Sequence, residues 1–312
     1  MIRLLAGSAL ALALSACAVV PEAEAPEPAP AASPTTVEVV QPIATPTPAP
    51  TPTPTPTPTG PTTFLFDGEL TQGGYIRGQV PGGTVSARLG EQELLIDGDG
   101  RFLAAFDRDA GETMALVATL ADGREIRSPV SVSPRSWNIE RVNVPLRPSG
   151  SSEAFRRRRA PELEAIWNAR QVRSDTGGWA QDFIWPATGR ISGMFGRQRI
   201  YQGEPGSYHS GIDIALPTGT PFVSPADGVV TLATGRPYSL EGYLLIIDHG
   251  AGLNSAFLHL SDIAVSEGDV VRQGQRLGAI GSSGRATGPH LHWSLKWHDA
   301  RLDPILFTGP MP

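Results

Sequence analysis

Two short histidine motifs in the C-terminal third have residue types and spacing suited to chemistry: His209-Ser210-Gly211-Ile212-Asp213 and His290-Leu291-His292. Side chains alternate faces along an extended strand, so residues two or four apart point the same way, and both motifs can aim their polar groups into one cleft. Imidazole and carboxylate are the usual ligands of a catalytic zinc ion, which keeps three protein groups and leaves a fourth position for water. His209, Asp213, His290 and His292 are four candidates, one more than such a site needs. All 6 histidines of the chain fall between His209 and His298, a clustering that scattered core or surface histidines do not explain. No H-E-x-x-H helix is present to supply a glutamate base.

The elements that must position these groups read as strands. From Phe183 to about Pro310, short apolar runs alternate with glycine turns and helical periodicity is nearly absent. Residues 183–312 are therefore expected to form a compact, antiparallel, all-β domain. Upstream, 63–135 holds seven apolar stretches: Thr63 to Phe66, Tyr75 to Val80, Val85 to Leu89, Leu94 to Ile96, Phe102 to Phe106, Met114 to Leu120 and Glu125 to Val132. Turn signals separate them, the pattern of a small immunoglobulin-like β-sandwich with no catalytic cluster in it. Asp97-Gly98-Asp99-Gly100 reads as a hairpin turn, because no glutamate closes a calcium loop at the proper distance. Between the two lies a linker, 136–182, with one short helix expected over Ala160 to Arg170, Pro161 and the glutamates in its first turn. Leu163, Ile166, Trp167 and Arg170 share the face that should pack on a neighbour, with Trp167 in a core or covering the cleft. The run Arg156 to Arg159 reads as a solvated helix start. Placed just before the catalytic motifs, residues 151–178 could also occupy the cleft as an autoinhibitory segment.

The N-terminus speaks to location. Met1-Ile2-Arg3 followed by an apolar run to Leu14 has the layout of a secretory signal, too short to span a bilayer. Its ending, Leu14-Ser15-Ala16-Cys17, resembles a bacterial lipobox, which makes 1–17 a lipoprotein signal peptide and Cys17 the lipidated residue. Cys17 is the only cysteine, so no intrachain disulfide can form. Ala18 follows where an inner-membrane retention signal commonly has Asp, so the expected address is the outer membrane, facing the periplasm. Residues 18–62 are mostly Pro, Ala, Thr and Glu and end in a Thr-Pro alternation, a tether expected to stay unfolded. At ~3.1 Å per residue, about forty residues reach on the order of 120 Å if fully extended. Net charge is −6 and no basic, aromatic-interleaved stretch is present, which excludes a nucleic-acid partner.

From about Trp185 to Phe307 the sequence resembles the lysostaphin-type zinc endopeptidases, the LytM-domain family of peptidoglycan hydrolases. The motifs concerned are Ser192-Gly193-Met194-Phe195-Gly196, His209 to Asp213, Asp248-His249-Gly250, Leu258-His259-Leu260 and Gly284 to His292. The resemblance implies that His209, Asp213 and His292 bind one Zn2+ and that His259 and His290 act on the water or the substrate. It also implies cleavage of peptide cross-links or stem peptides in the bacterial wall. Where the family often has tyrosine two residues before the later histidine, this chain has Phe257; Tyr208 and Tyr201 are candidates for a replacing phenol. His249 is expected to end a strand near the cleft and His298 to lie at the surface. Degenerate LytM-type regulators, which activate amidases without cleaving, typically lack one or more ligands, and this chain keeps all three. Amidase or cell-division partners remain compatible with an active enzyme. The remaining alternative is a wall-binding lipoprotein whose sandwich is the working part.

Overall fold

Glycine turns recur so often after residue 60 that the chain has room for strands but for few helices, and strands are what form. The computed structural model describes residues 60–146 and 152–312. The signal peptide, Cys17 and nearly all of the tether lie outside them. Among the described residues no helix is long and apolar enough to cross a membrane.

The upstream region builds two antiparallel sheets. Strands β1 (Leu65–Gly68), β2 (Tyr75–Gln79) and β5 (Arg101–Ala105) form one, in the order β1-β2-β5. The other is ordered β4-β3-β6-β7, from β3 (Thr84–Leu89), β4 (Gln92–Glu93), β6 (Thr113–Leu120) and β7 (Glu125–Ser131). Both contribute to one buried cluster that includes Ile76, Phe102, Leu103 and Leu116, the apolar positions that strand alternation turns inward. Turn chemistry sets the registers. Between β6 and β7, Asp122 Oδ1 accepts from the Arg124 amide at 3.0 Å, and Gly123 takes φ +83°, a conformation other L-residues rarely adopt. Asp97-Gly98-Asp99-Gly100 is a turn, as expected: Asp97 Oδ1 accepts from the amides of Asp99 and Arg101 at 3.0 and 2.8 Å. The fourth strand falls two residues earlier than the apolar stretch Leu94 to Ile96, because Gly90, at φ +57°, lets the chain reverse directly after β3.

The linker holds more than the expected helix. Strand β8 (Ile139–Val142) pairs in parallel with the later strand β10 (Gln198–Tyr201), which also pairs β11 (Glu204–Pro205). Helix α1 spans Glu153–Gln171, seven residues longer at its start than the sequence suggested. Ser152 caps it by accepting from the Phe155 amide, Glu153 sits in the first turn and bonds Arg157, and Pro161 lies inside the helix. Proline there gives up the bond it would donate to the Arg157 carbonyl and crowds that carbonyl with its ring, yet the helix continues through it. The buried face matches the expected one in part: Ile166 and Arg170 pack on the neighbouring sheet, as expected, together with the buried Glu162 and Ala169, while Leu163 and Trp167 are 51% and 63% exposed. Trp167 is therefore not a core residue.

The C-terminal region is a ten-stranded antiparallel sheet. Its main path uses β9 (Arg190–Gly193), β12 (Ile212–Ala215), β14 (Gly228–Ala233), β15 (Tyr243–Asp248), β16 (Leu253–Ile263), β17 (Val270–Val271) and β19 (Leu291–Trp297), in the order β17-β14-β15-β16-β19-β12-β9. Strands β13 (Pro221–Val223) and β18 (Arg276–Ile280) pair with each other, β18 also pairs β16, and β20 (Ala300–Leu302) pairs β19. A short helix, α2 (Ile305–Thr308), follows. The two upstream sheets share a buried cluster with this region and contact its loops and α2. Tyr75 stacks on Phe307 with ring centroids 4.0 Å apart, Arg135 bonds the buried Asp303 at 2.8 Å, and Arg108, 4% exposed, donates to the Gly196 carbonyl.

One polar chain crosses the core. His249, fully buried, donates from Nδ1 to the Asp227 carbonyl at 2.8 Å; its Nε2 accepts from Ser255 Oγ, which in turn accepts from Trp293 Nε1. This histidine ends β15 and is structural, as expected. Burial, opposed weakly by the Asp227 carbonyl, pulls its pKa down to about 4. Below the ordinary value of about 6.5 the unfolded chain therefore takes up a proton that the folded chain refuses. The stability tied to neutral His249 is fully present above pH 6.5 and is lost as pH falls towards 4, on the order of 3 kcal/mol. Urea unfolding with a chelator present should show this fall between pH 7 and 4, and H249Q should be less stable at pH 7 but lose less across the interval.

Candidate metal centre and flanking histidines

Strand register assembles the site. Asp213 on β12 stands opposite His292 on β19, and His292 in turn stands opposite Leu258 on β16. His209 lies in the loop before β12, so the four-residue spacing to Asp213 works through a loop and a strand start, not one continuous strand. The motif Ser192 to Gly196 holds that loop. His209 Nδ1 donates to the Met194 carbonyl at 3.0 Å, which aims Nε2 inward, and the His209 carbonyl accepts from the Gly196 amide.

Three donor atoms converge. His209 Nε2 is 3.1 Å from Asp213 Oδ1 and 3.1 Å from His292 Nδ1, and His292 Nδ1 is 2.9 Å from Asp213 Oδ1. Tetrahedral zinc with ligand distances of ~2.0–2.1 Å would space its donors by about 3.3 Å. Two imidazoles and one carboxylate at nearly that separation fit a zinc ion, and these three residues are the group able to hold one. Burial opposes the Asp213 charge, but hydrogen bonds from His209 and His292 outweigh it and hold the carboxyl far below the usual range. Burial also opposes a charge on His209, and Asp213 outweighs it, so that pKa rises; burial prevails at His292, whose pKa falls.

Two glycines make the convergence possible. A Cβ at Gly211, between the first two ligands, would meet His292 Nε2 at 2.8 Å and collide with the Trp293 carbonyl. A Cβ at Gly193 would run into the Asp213 carboxylate. Both glycines stood in the sequence motifs, but only the fold reveals what they make room for.

The fourth candidate is set apart from the three. His290 Nδ1 donates to the Gly288 carbonyl at 2.8 Å, and its Nε2 is 3.6 Å from Asp213 Oδ1, outside the close triad. His259 donates from Nδ1 to the Ser283 carbonyl at 2.9 Å, and its ring lies 4.8 Å from that of His290 and 6.3 Å from that of His292. Each flanking histidine thus commits Nδ1 to a backbone carbonyl and leaves Nε2 for other work. Burial pulls the His259 pKa down, helped by the neighbouring histidines. His259 also has φ +64°, the left-handed region, a strain of about 1–3 kcal/mol for a residue with a side chain.

Other expected residues fall elsewhere. Tyr208 lies against two guanidinium groups, those of Arg108 and Arg301, 4.6 and 5.3 Å from its ring centroid, and Tyr201 ends β10, outside the ten-stranded sheet. Phe257 is fully buried between Phe222 and Trp293. His298 is half-buried in the turn after β19, so the surface expectation holds only in part: its ring packs on Gly252 with Nε2 buried and unpartnered, and desolvation pulls its pKa to about 4.

Removing a donor, as in H209A, should abolish stoichiometric zinc in metal analysis of the purified protein. G211A removes no donor, yet should weaken zinc binding in calorimetric titration by roughly 10- to 100-fold, the usual effect of disturbing a ligand's supports.

Comparison with known proteins agrees with this geometry. The model of peptidase family M23 matches residues 207–304. Peptidoglycan DD-endopeptidase ShyA of Vibrio cholerae is 42% identical over 107 residues, 34% of this chain and 24% of that protein. DD-carboxypeptidase/endopeptidase Mpg of Neisseria meningitidis is 38% identical over 123 residues, 39% of this chain and 28% of that protein. The chain thus spans about a quarter of the length of these curated relatives. The crystal structure of a Pseudomonas aeruginosa protein assigned to peptidase M23 superposes with a TM-score of 0.57 at 28% identity, covering 77% of this chain and 95% of that one. That likeness reaches well beyond the residues the family model matches. The zinc-fitting triad, the two flanking histidines and the sheet that aligns them accordingly belong to a peptidase family M23 domain of the LytM type.

Proposed function

We propose that this protein is a zinc-dependent endopeptidase that cuts peptide cross-links or stem peptides of bacterial peptidoglycan, held by a lipid on Cys17 at the outer membrane and facing the periplasm. The reading is carried by one observation: a complete three-donor site with two further histidines beside it, each with Nδ1 tied to a backbone carbonyl. Relatives named as DD-endopeptidases support peptidoglycan as substrate and favour bonds between D-residues.

When bound by His209, Asp213 and His292, zinc supplies Lewis-acid polarisation of the scissile carbonyl and lowers the pKa of water at its open position. The chain's own residues do the rest. His290 and His259 face each other across 4.8 Å, with Nε2 of each able to take a proton from the attacking water, return it to the leaving amine or donate to the developing oxyanion. Burial keeps His259 neutral near pH 7, ready to accept. A non-hydrolytic role as an amidase activator is disfavoured by the intact donor set.

Purified sacculi incubated with the zinc-loaded protein should release muropeptides whose masses identify the bond cut. H290A and H259A should each retain zinc while losing about 10²- to 10⁴-fold in rate. Equal release by wild type and H209A would refute the enzyme reading. For location, C17A should lose palmitate labelling and leave the membrane fraction; a C17A protein still labelled and membrane-bound would sink the lipoprotein reading.

A further inference from the structure

His259 sits where β16 changes partners. Through Leu258 it pairs β19, and from Leu260 onward it pairs β18; opposite, its register with β15 slips between Tyr243 and Leu245. A bulge of this kind re-aims a side chain, but the left-handed φ of +64° persists only if surrounding structure imposes it. The restraint comes from the 238–242 loop. The Glu241 carbonyl accepts the His259 amide at 2.8 Å, and the Leu240 carbonyl accepts the Arg285 amide at 2.9 Å. Gly242 lies so close to Ser283, whose carbonyl holds the His259 ring, that a Cβ there would overlap it. The 238–242 loop therefore bonds the His259 backbone directly and packs against the residue whose carbonyl holds its imidazole.

That loop is gripped from outside the matched domain. Arg159 of α1 forms a two-pronged ion pair with Glu241, at 2.5 and 2.6 Å, and bonds Glu162 at 3.1 Å. Glu162 accepts from both the amide and the hydroxyl of Ser239, at 3.0 and 2.8 Å. The side chains are 12% (Arg159), 1% (Glu162) and 16% (Glu241) exposed, so water screens this network little. Burial works against the Glu162 charge, but bonds from Ser239 and Arg159 hold its pKa below the usual range. A bidentate guanidinium–carboxylate pair fixes orientation as well as distance. Neither Arg159 nor Glu162 touches the three zinc-fitting residues; their partners are one another, Ser239 and Glu241.

We infer that Arg159 and Glu162 are positioning residues for His259, and that α1 is a working part of the active site, where the autoinhibitory reading would have it a segment that blocks the cleft. The inference rests on the proposed endopeptidase activity and makes the opposite prediction from autoinhibition: loosening α1 from the loop lowers the rate.

The test uses the full zinc-loaded protein with a D-alanyl–diaminopimelate cross-linked muropeptide dimer, comparing wild type, R159M, R159K, E241Q, the R159M/E241Q double variant and E153Q, which removes only an exposed pair. R159M should lower kcat about tenfold with KM changed less than twofold and zinc stoichiometry intact, R159K should recover part of the loss, and the double variant should be no slower than R159M. E153Q should match wild type. The NMR signals of the His259 amide and imidazole should shift in R159M, while those of His209 stay in place. Unchanged kcat together with unmoved His259 signals, or a rate that rises, would overturn the inference. If wild type cleaves nothing, the endopeptidase reading fails by itself, and the NMR comparison still decides whether Arg159 positions His259: a shift supports it, no shift refutes it.

Discussion

Everything at the site hangs on the antiparallel register that sets Asp213 directly across from His292. Side chains on paired strands alternate faces, so a slip of one residue between β12 and β19 would turn one ligand into the core and replace it with Ile212 or Ile214, or with Leu291 or Trp293. Those four are fully buried. The apolar residues flanking each ligand therefore act as a ratchet: the hydrophobic free energy that places them in the core also forces Asp213 and His292 to the opposite face. With burial worth about 1.5–3 kcal/mol per large apolar side chain, the penalty for the wrong register is far larger than any preference among the polar groups themselves. Metal-binding geometry here is a by-product of core formation.

What the register cannot do is place His209 and His259. His209 belongs to a loop and is positioned by bonds to the strand-turn segment from Met194 to Arg197; His259 belongs to a strand but departs from its regular conformation. Of the five residues at the site, Asp213 and His292 are held by strand register, His290 by its bond to the Gly288 carbonyl just before β19, and His209 and His259 by loops that are each anchored by something remote in sequence. Arg108 of the sandwich bonds the Gly196 carbonyl beside the His209 loop, and Arg159 of α1 grips the loop beside His259. Both anchors are arginines, whose fixed fork of donors suits a carbonyl or carboxylate that must not move.

This division explains what was legible in the sequence. Spacing proposed four candidate donors and the family resemblance singled out His209, Asp213 and His292, the three whose donor atoms lie together, while the all-β class followed from glycine spacing and short apolar runs. The start of α1 was misplaced because Pro161 looks like a first-turn residue, while Ser152, the true cap, is an unremarkable serine among others. Its buried face was misassigned in part, for a related reason. Apolar periodicity pointed to Leu163, Ile166, Trp167 and Arg170, of which Ile166 and Arg170 do face the sheet, but the helix also turns inward a charged pair, Arg159 and Glu162, whose burial makes sense only when Ser239 and Glu241 are known to face them. Glu241 lies 82 residues from Arg159, and nothing local announces such a partner. The same limit applies to Gly193 and Gly211, whose importance lies in atoms they exclude.

The positions of the two anchors suggest why the peptidase domain is not used alone in this chain. A bare sheet can align Asp213 with His292, since that needs only strand pairing. Holding His259 in a left-handed conformation opposes its backbone preference, and the short loop that bonds its amide is itself closed by a single bridge, Tyr238 to Gly242. Ion pairs exposed to water contribute at most about 1 kcal/mol, less than that strain, so an effective restraint has to be shielded. The helix provides the shielding: Ala169 and Ile166 pack with Leu232, Leu244 and Ile246 while Arg159 and Glu162 meet the loop. A segment that looks like a linker in composition is thereby the element that makes a buried, two-pronged contact possible beside the reacting groups.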